Sequence, residues 1–368
     1  MLYLAIDQHS KQLTVNLRNE AGEVLLRRQV STRGDAPRQF LEDVKQRSAA
    51  EGGYVAIVEV CGFNDWLLEL LPQCGCRETV LVQADKRSKR KTDRRDANKL
   101  GELLWVNRHR LSAGKPISHL RRVRILTRRE REDRRVTQIR RNLGRDLTRT
   151  INAVRTILRR ENLEQHCPTK GIQTQAAAKW LKSLKLAPLD RMEMNQLLAR
   201  WNLLQQQKAD IEEEIAQRAA AHADAQLVQT LPGAAAYAAL ALAARVGPIE
   251  RFPRPRSLAN YWGLTPGCRN SGETTDRLGS ITKEGSTLAR YLLGQLVMHV
   301  LRKDPVMRSW FKRIKQRRGS KIARVAVMRR LATIIWHMLK KREPYQIGGP
   351  PRKKLKRHEP ALATASRP

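Results

Sequence analysis

The chain has 368 residues, with 72 Lys and Arg against 35 Asp and Glu, a formal net charge of +37 and an isoelectric point near 11.1. That balance selects a polyanionic partner, nucleic acid before any other, and no stretch approaches the roughly 18 apolar residues of a spanning helix, so no membrane partner is expected. Hydrophobic residues at 41% are enough to build cores, and the length suits about two or three domains. Five cysteines (Cys61, Cys74, Cys76, Cys167 and Cys268) are odd in number and lack paired CxxC spacing. They read as reduced intracellular thiols, and the single Cys74-Gly75-Cys76 pair is too sparse to argue for metal. Met1–Ile6 is interrupted by Asp7 and has no basic lead, so it is not a signal peptide, and a cytoplasmic location is expected.

In chain order, residues 2–6, 13–17 and 24–30 read as strands, with a turn over Asn19–Gly22 between the last two. A helix follows at about 36–49, then a strand at 54–59. Asn64 is a suitable N-cap for the next helix, which sets Trp66, Leu67, Leu70 and Leu71 on one side. Residues 78–82 give a fifth strand and 93–106 a third helix. Three strands, then helix, strand, helix, strand, helix is the order of an RNase H-like domain. In that topology the first and fourth strands are neighbours.

Residues 113–226 have a different pattern. Val136, Ile139, Leu143, Leu147, Ile151, Val154 and Leu158 recur every three or four positions, and Leu197, Trp201, Leu204, Lys208, Ile211 and Ile215 alternate as a heptad does. Between them the chain is broken by Pro168, Gly171 and Pro188, which implies an antiparallel helical hairpin forming a coiled-coil arm or a dimer seam. Twelve arginines lie between Arg121 and Arg149, Arg128 and Arg135 among them. A solvated helix face usually mixes signs, so this excess points to phosphate contact.

Residues 227–346 read as a further helical domain. The apolar stretch Ala234–Ala244 is a buried helix, and Leu231-Pro232-Gly233 before it resembles a helix–hairpin–helix entry, where backbone approaches phosphate. Helices are expected at about 286–303, 305–316 and 320–341. Between Arg302 and Arg330 stand twelve basic residues and one acid, Asp304. Residues 347–368 form a basic tail with the composition of a disordered segment.

Four carboxylates carry the chemistry. Asp7 ends the first apolar run and Glu59 the fourth strand, while Asp93 and Asp96, three residues apart, share a helix face. In the RNase H-like order all four converge, and carboxylates from separate segments suit divalent metal, Mg²⁺, beside a phosphodiester. Lys86, Arg87, Lys89, Arg90, Lys91, Arg94 and Arg95 surround the second pair and suit backbone phosphates. By contrast, Asn270-Ser271-Gly272 in a polar, glycine-rich segment is on its residues alone a turn. Arg269, Arg277 and Lys283 lie near it, but no His or Asp base does.

These segments resemble one family. Asp7 in AIDQHSK, Glu59 in VEVCGFNDWL and the pair in KTDRRDANKLGELL look like the motifs of DEDD-type insertion-sequence transposases, the bridge-RNA-guided recombinases. The second half agrees through LPG, NYWGLTP, NSGE, GSITKEG and KIARVAVMRRLATIIWHMLKKREPY, so the likeness spans about residues 2–346 in order. Cys61 stands where the family often has threonine, and Ala5-Ile6 where it has a glycine before the first Asp.

The resemblance implies an α/β plus α fold: a RuvC-like RNase H domain (1–112), a helical coiled-coil segment (113–226), a mostly helical transposase domain (227–346) and the tail. It implies Mg²⁺ on Asp7, Glu59, Asp93 and Asp96, and a nucleophilic Ser271 that forms a phosphoserine with cut DNA alongside another subunit's carboxylates. Partners would be target and donor DNA, a structured guide RNA and further copies of the chain in a dimer or tetramer, working at the bacterial nucleoid. Two other readings of the residues are a junction endonuclease without a covalent step and a nucleic-acid-binding protein without activity.

Overall fold

The computed structural model describes residues 1–83, 93–115, 121–268 and 278–350, with backbone alone at 93–96, 268 and 278. It divides into two compact units, 1–126 and 127–368. Among the described residues no helix is long and apolar enough to cross a membrane.

The first unit is built on one sheet. Its elements are β1 (Leu2–Gln8), β2 (Gln12–Arg18), β3 (Val24–Ser31), α1 (Ala36–Ser48), β4 (Tyr54–Glu59), α2 (Asp65–Gln73), β5 (Cys76–Gln83), α3 (Asp93–Val106), α4 (Arg108–Ser112) and β6 (Arg121–Arg122). The strand order is β3-β2-β1-β4-β5-β6. The first three strands pair antiparallel, whereas β1–β4 and β4–β5 pair parallel. This is the strand order expected of an RNase H-like sheet, with β1 beside β4. The two central strands are apolar up to their carboxyl-terminal residues because helices cover both faces. Leu2, Leu4 and Ile6 pack with Phe40, Leu41, Val44, Leu67 and Leu71 on one side. Tyr3, Ala5, Val55 and Ile57 pack with Leu100 and Leu104 of α3 on the other.

Two local expectations for α2 need correction. Its buried face is Leu67, Leu68 and Leu71, while Trp66 is exposed. Asn64 occupies the N-cap position but makes no capping bond. Its side-chain amide donates instead to the Glu59 carbonyl and to Gln8 Oε1, both at 3.0 Å, because the loop after β4 offers it unpaired acceptors.

The second unit is helical: α5 (Arg128–Arg160), α6 (Gln175–Ser183), α7 (Pro188–Ala220), α8 (Ala223–Gln229), α9 (Ala236–Val246), α10 (Pro255–Tyr261), the short strands β7 (Pro266–Cys268) and β8 (Leu278–Ile281), α11 (Thr287–Lys303) and α12 (Pro305–Lys341). Helix α5 opens with a full capping box between Thr127 and Glu130. It runs antiparallel to α7, since Arg160 meets Asp190 and Glu193, Arg140 meets Glu212, and Arg218 meets Asp133. Ile139 is exposed rather than buried. At that level the inward face of α5 carries Asp133 and Thr137, which receive Arg218 and Arg245. The broken segment between the long helices contains α6, whose Ala177 and Leu181 are buried against both.

The remaining helices enclose α9, every residue of which from Ala238 to Val246 is buried. Gly233 has φ +84, and a Cβ there would strike the His299 ring, so its close approach is to the chain's own side chain. Helix α12 contains one break, at Gly319 (φ 80, ψ 166), which separates the two helices expected there. Two further glycines lock the base of the β7–β8 pair. A Cβ on Gly263 (φ +65) would collide with the Glu284 backbone, and one on Gly285 (φ +75) with the Tyr261 carbonyl oxygen. The Thr282 and Lys283 amides donate to the Thr265 and Gly263 carbonyls.

Asp304 ties three segments together. It is fully buried, caps α12 by accepting from the Met307 amide at 2.8 Å, and accepts from the Gly348 amide at 2.7 Å and the Tyr345 hydroxyl. Burial alone would raise its pKa, but these donors outweigh burial and hold the carboxyl below its ordinary value. Asp304→Ala is expected to remove about 2–4 kcal/mol in denaturant unfolding, through the lost cap and orphaned buried donors. Because the folded pKa lies below the unfolded one, this contribution is present above about pH 4 and disappears as pH falls through the depressed value. Gly285→Ala is expected to cost roughly 2 kcal/mol or more by the same measurement, since both φ and space oppose a Cβ.

Candidate active site

Asp7 and Glu59 are placed by strand pairing. Ile6 is paired with Val58 in parallel register, and Asp7 and Glu59 are the next residues on each strand. Side chains alternate, so Asp7 shares a face with Tyr3 and Ala5, and Glu59 with Val55 and Ile57. Both carboxylates therefore stand at the carboxyl ends of adjacent parallel strands on the face that α3 covers. Open α/β sheets bind ligands at that end. The Cys61 thiol senses both: burial pushes it up, and the fields of Asp7 and Glu59 push it further.

The direction of α3 follows from its far end. The Trp105 indole donates to the Glu20 carbonyl in the β2–β3 turn, and Asn98 accepts from Asn16 and Arg18 on β2. Since Tyr3 pairs with Arg18, this turn lies at the start of β1. Helix α3 thus runs against β1, and its first turn, which holds Asp93 and Asp96, lies at the Asp7 end. Twelve residues of helix rise about 18 Å, against roughly 13 Å for Tyr3 to Asp7. The backbone accordingly brings all four acidic positions to one end of the sheet. The Asp93 and Asp96 side chains lie outside the described residues, as do those of Arg94 and Arg95. The expectations for Lys86, Arg87, Lys89, Arg90 and Lys91 also lie outside.

Sequence reasoning missed three groups here. His9 Nε2 lies 3.2 Å from Asp7 Oδ2, and the Asp7 side chain is only 13% exposed. Thr14 pairs directly with Asp7 across β1 and β2 and is 4% exposed, yet its hydroxyl has no hydrogen-bond partner among the described residues. It lines a cavity of about 400 Å³ with Asn16, Arg27 and Asn98. Only the β1–β2 register reveals Thr14, whereas His9 was already present in the motif around Asp7. Phe63 and Trp66 are exposed just beyond Glu59.

The donor chemistry fits a hard divalent cation. Asp7 and Glu59 supply carboxylate oxygens, and Thr14 supplies an unsatisfied hydroxyl beside space for water. Among the described residues no three His, Cys, Asp or Glu side chains form a closed metal cluster. Cys74 and Cys76 are buried free thiols.

Ser271, with Arg269 and Arg277, lies outside the described residues. The β7–β8 pair that carries this segment is described, and the glycine contacts above fix its base. Arg290 adds to that base by donating to the Trp262 and Glu284 carbonyls. Lys283 is exposed at φ +57.

The arginines of α5 divide into two groups. Arg134 donates to the Ala244 carbonyl, Arg140 places two N–H donors on one Glu212 oxygen, and Arg141 lies over the Tyr291 ring. Those side chains hold the helices together. Arg128 remains 83% exposed beside Glu132, and Arg135 is exposed. These two are open to a phosphate.

Comparison with known proteins agrees with this geometry. Residues 4–162 match a model of DEDD-type IS110 transposases, described as a transposase, and residues 225–312 match the "Transposase IS116/IS110/IS902 family". A transposase for insertion sequence element IS1111A of Coxiella burnetii is 29% identical over 302 residues, 79% of each chain. A family 20 transposase of Pseudomonas aeruginosa is 28% identical over 166 residues, 44% of this chain and 48% of its own. The first match spans the acidic positions on β1, β4 and α3, and the second spans the β7–β8 pair. The chain belongs to the IS110-type family of DEDD insertion-sequence transposases.

Proposed function

We propose that the chain is an RNA-guided DNA recombinase of a mobile insertion sequence. It cuts and rejoins DNA through Asp7, Glu59, Asp93 and Asp96 and through a covalent phosphoserine at Ser271. The observation that carries this reading is the adjacent pair Asp7 and Glu59 at two paired strand ends, at the level of the first turn of α3.

Mg²⁺ held by the four carboxylates would neutralise and polarise the scissile phosphate. Around it, His9 orients Asp7 and Asn64 fixes the backbone of Glu59. Arg128, Arg135 and Lys283 hold backbone phosphates, together with Lys89, Arg90, Lys91, Arg94, Arg95 and Arg269. Ser271 Oγ forms a bond to phosphorus as the strand's P–O bond breaks, and the hydroxyl proton passes to the departing oxygen. Attack of another strand end on the phosphoserine reverses the step, so the exchange needs no external energy source.

A net charge of +37 suits a protein that grips two polyanions by their backbones while a structured RNA selects sequence by pairing. Leu189, Met192 and Leu203 are exposed on α7. They support a coiled-coil seam between copies in a dimer or tetramer, in which one copy's Ser271 meets another's carboxylates.

The test incubates wild type and variants with labelled element-junction DNA, the flanking RNA and Mg²⁺, then runs a denaturing protein gel. A DNA adduct is expected with wild type and absent with Ser271→Ala or EDTA. Asp7→Asn is expected to slow adduct formation on the order of a thousandfold, the effect of losing several kcal/mol of phosphate stabilisation. Clean cutting by wild type and Ser271→Ala alike, without an adduct, contradicts the covalent step and favours a junction endonuclease.

A further inference from the structure

A cavity of about 1040 Å³ lies in the second unit, between the β7–β8 pair and α12. Leu264, Pro266 and Ile281 form one wall. Trp310, Ile322 and Val325 form the other, from both sides of the helix break at Gly319. That break turns the helix where a continuous one would carry its side chains straight past. Ile322 remains 55% exposed at the mouth, an apolar side chain that the fold leaves uncovered.

The charged lining has one sign. Arg318, Lys321 and Arg329 line the cleft, and among the described residues no Asp or Glu does. Burial and the nearby charge of Arg256 both depress the Arg329 guanidinium, as happens where cations gather without an acid to pair them. An apolar slot whose charged residues, among those described, are all cations matches a ligand with flat apolar faces and an anionic backbone. A neutral lipid or an apolar peptide would use the walls and leave the cations unmatched, whereas duplex DNA would use the cations and leave the walls empty, its bases being already stacked. The volume is at the upper end of the roughly 300–1,000 Å³ typical of ligand sites, room for a nucleotide or two.

We propose that this cleft takes unpaired nucleotides of a single strand, with the base between the Leu264 and Ile322 walls and the phosphate at Arg318, Lys321 and Arg329. The inference rests on the proposed function for its setting. Gly279, Ser280 and Ile281 of β8 belong to the cleft wall, and β7 and β8 lead into the segment that carries Ser271. The nucleotides held there belong either to the DNA strand beside a cut or to the guide RNA, two sources that the test separates.

The experiment measures binding by full-length protein of a fluorescent mixed-sequence single-stranded DNA, the same sequence as RNA, and the corresponding DNA duplex. Ile322→Asp puts a carboxylate at the exposed mouth, and Val325→Trp fills the slot. Both are expected to weaken single-strand binding about tenfold or more and duplex binding less than about twofold. Arg135→Ala, a cation outside the cleft, is expected to weaken single-strand and duplex DNA alike. A loss confined to DNA assigns the cleft to the substrate strand, and one confined to RNA assigns it to the guide. Unchanged single-strand binding by Ile322→Asp, or equal loss on duplex and single strand, overturns the proposal. Thermal unfolding of each variant, with Ile322→Ser as a milder substitution, separates lost binding from lost fold. Because affinity is read without cleavage, a missing phosphoserine adduct would refute the recombinase chemistry and leave this result standing.

Discussion

The parallel pairing of β1 with β4 forces Asp7 and Glu59 side by side, and much else follows from that neighbourhood. Adjacent strands lie about 4.8 Å apart, so two ionised carboxylates at their ends repel by roughly 3 kcal/mol at an effective dielectric constant near 20. Like charges directly opposite one another on a sheet destabilise it. A divalent cation held between such a pair would offset that repulsion. On the neighbouring strand the Thr14 hydroxyl is buried and has no hydrogen-bond partner among the described residues, which adds a third oxygen at this end of the sheet. The sheet supplies this arrangement rigidly, because the residues behind each carboxylate are apolar and covered on both faces.

The cationic half of the molecule is organised differently. Many of its arginines are committed to the protein itself. Arg245 on α9 is 8% exposed and donates to Thr137 and to the Ala241 carbonyl. Burial, then the neighbouring Arg134 charge, pulls its pKa down to about 10. Arg251 lies over the Tyr261 ring, and Arg218 pairs with Asp133. What remains for nucleic acid is an exposed subset, including Arg128, Arg135 and Lys283, and the cations of the α12 cleft, which no Asp or Glu lines among the described residues. The +37 total therefore overstates the area of binding surface while identifying the class of ligand correctly.

The first unit was the most legible part of the sequence. Its central strands are short apolar runs bounded by turns and acids, a pattern that resists confusion with helix, and their order implies the β1–β4 neighbourhood. The break in α12 was legible too, because glycine interrupts a basic helical repeat. What failed depended on tertiary partners. Pro168 and Gly171 hid α6, which is held by burial against two long helices more than by its own pattern. Ile139 fits the spacing of three or four, but Asp133 and Thr137 take the inward face, where they accept from Arg218 and Arg245. Asn64 looked like a cap and serves as a clamp. Thr14 was invisible as a site residue because its importance comes wholly from strand register. Ser271 stands apart from these: its residues alone read as a turn, and only family resemblance singles it out.

The central claim is that the β1–β4 carboxylates and the acidic first turn of α3 form one divalent-metal site. Mn²⁺ binding followed by electron paramagnetic resonance, on full-length protein with DNA, tests it most directly. The account predicts bound Mn²⁺ in wild type, displaced by Mg²⁺, and loss of that signal in both Asp7→Asn and Asp96→Asn with the fold intact. Equal Mn²⁺ binding in wild type and both variants would contradict it.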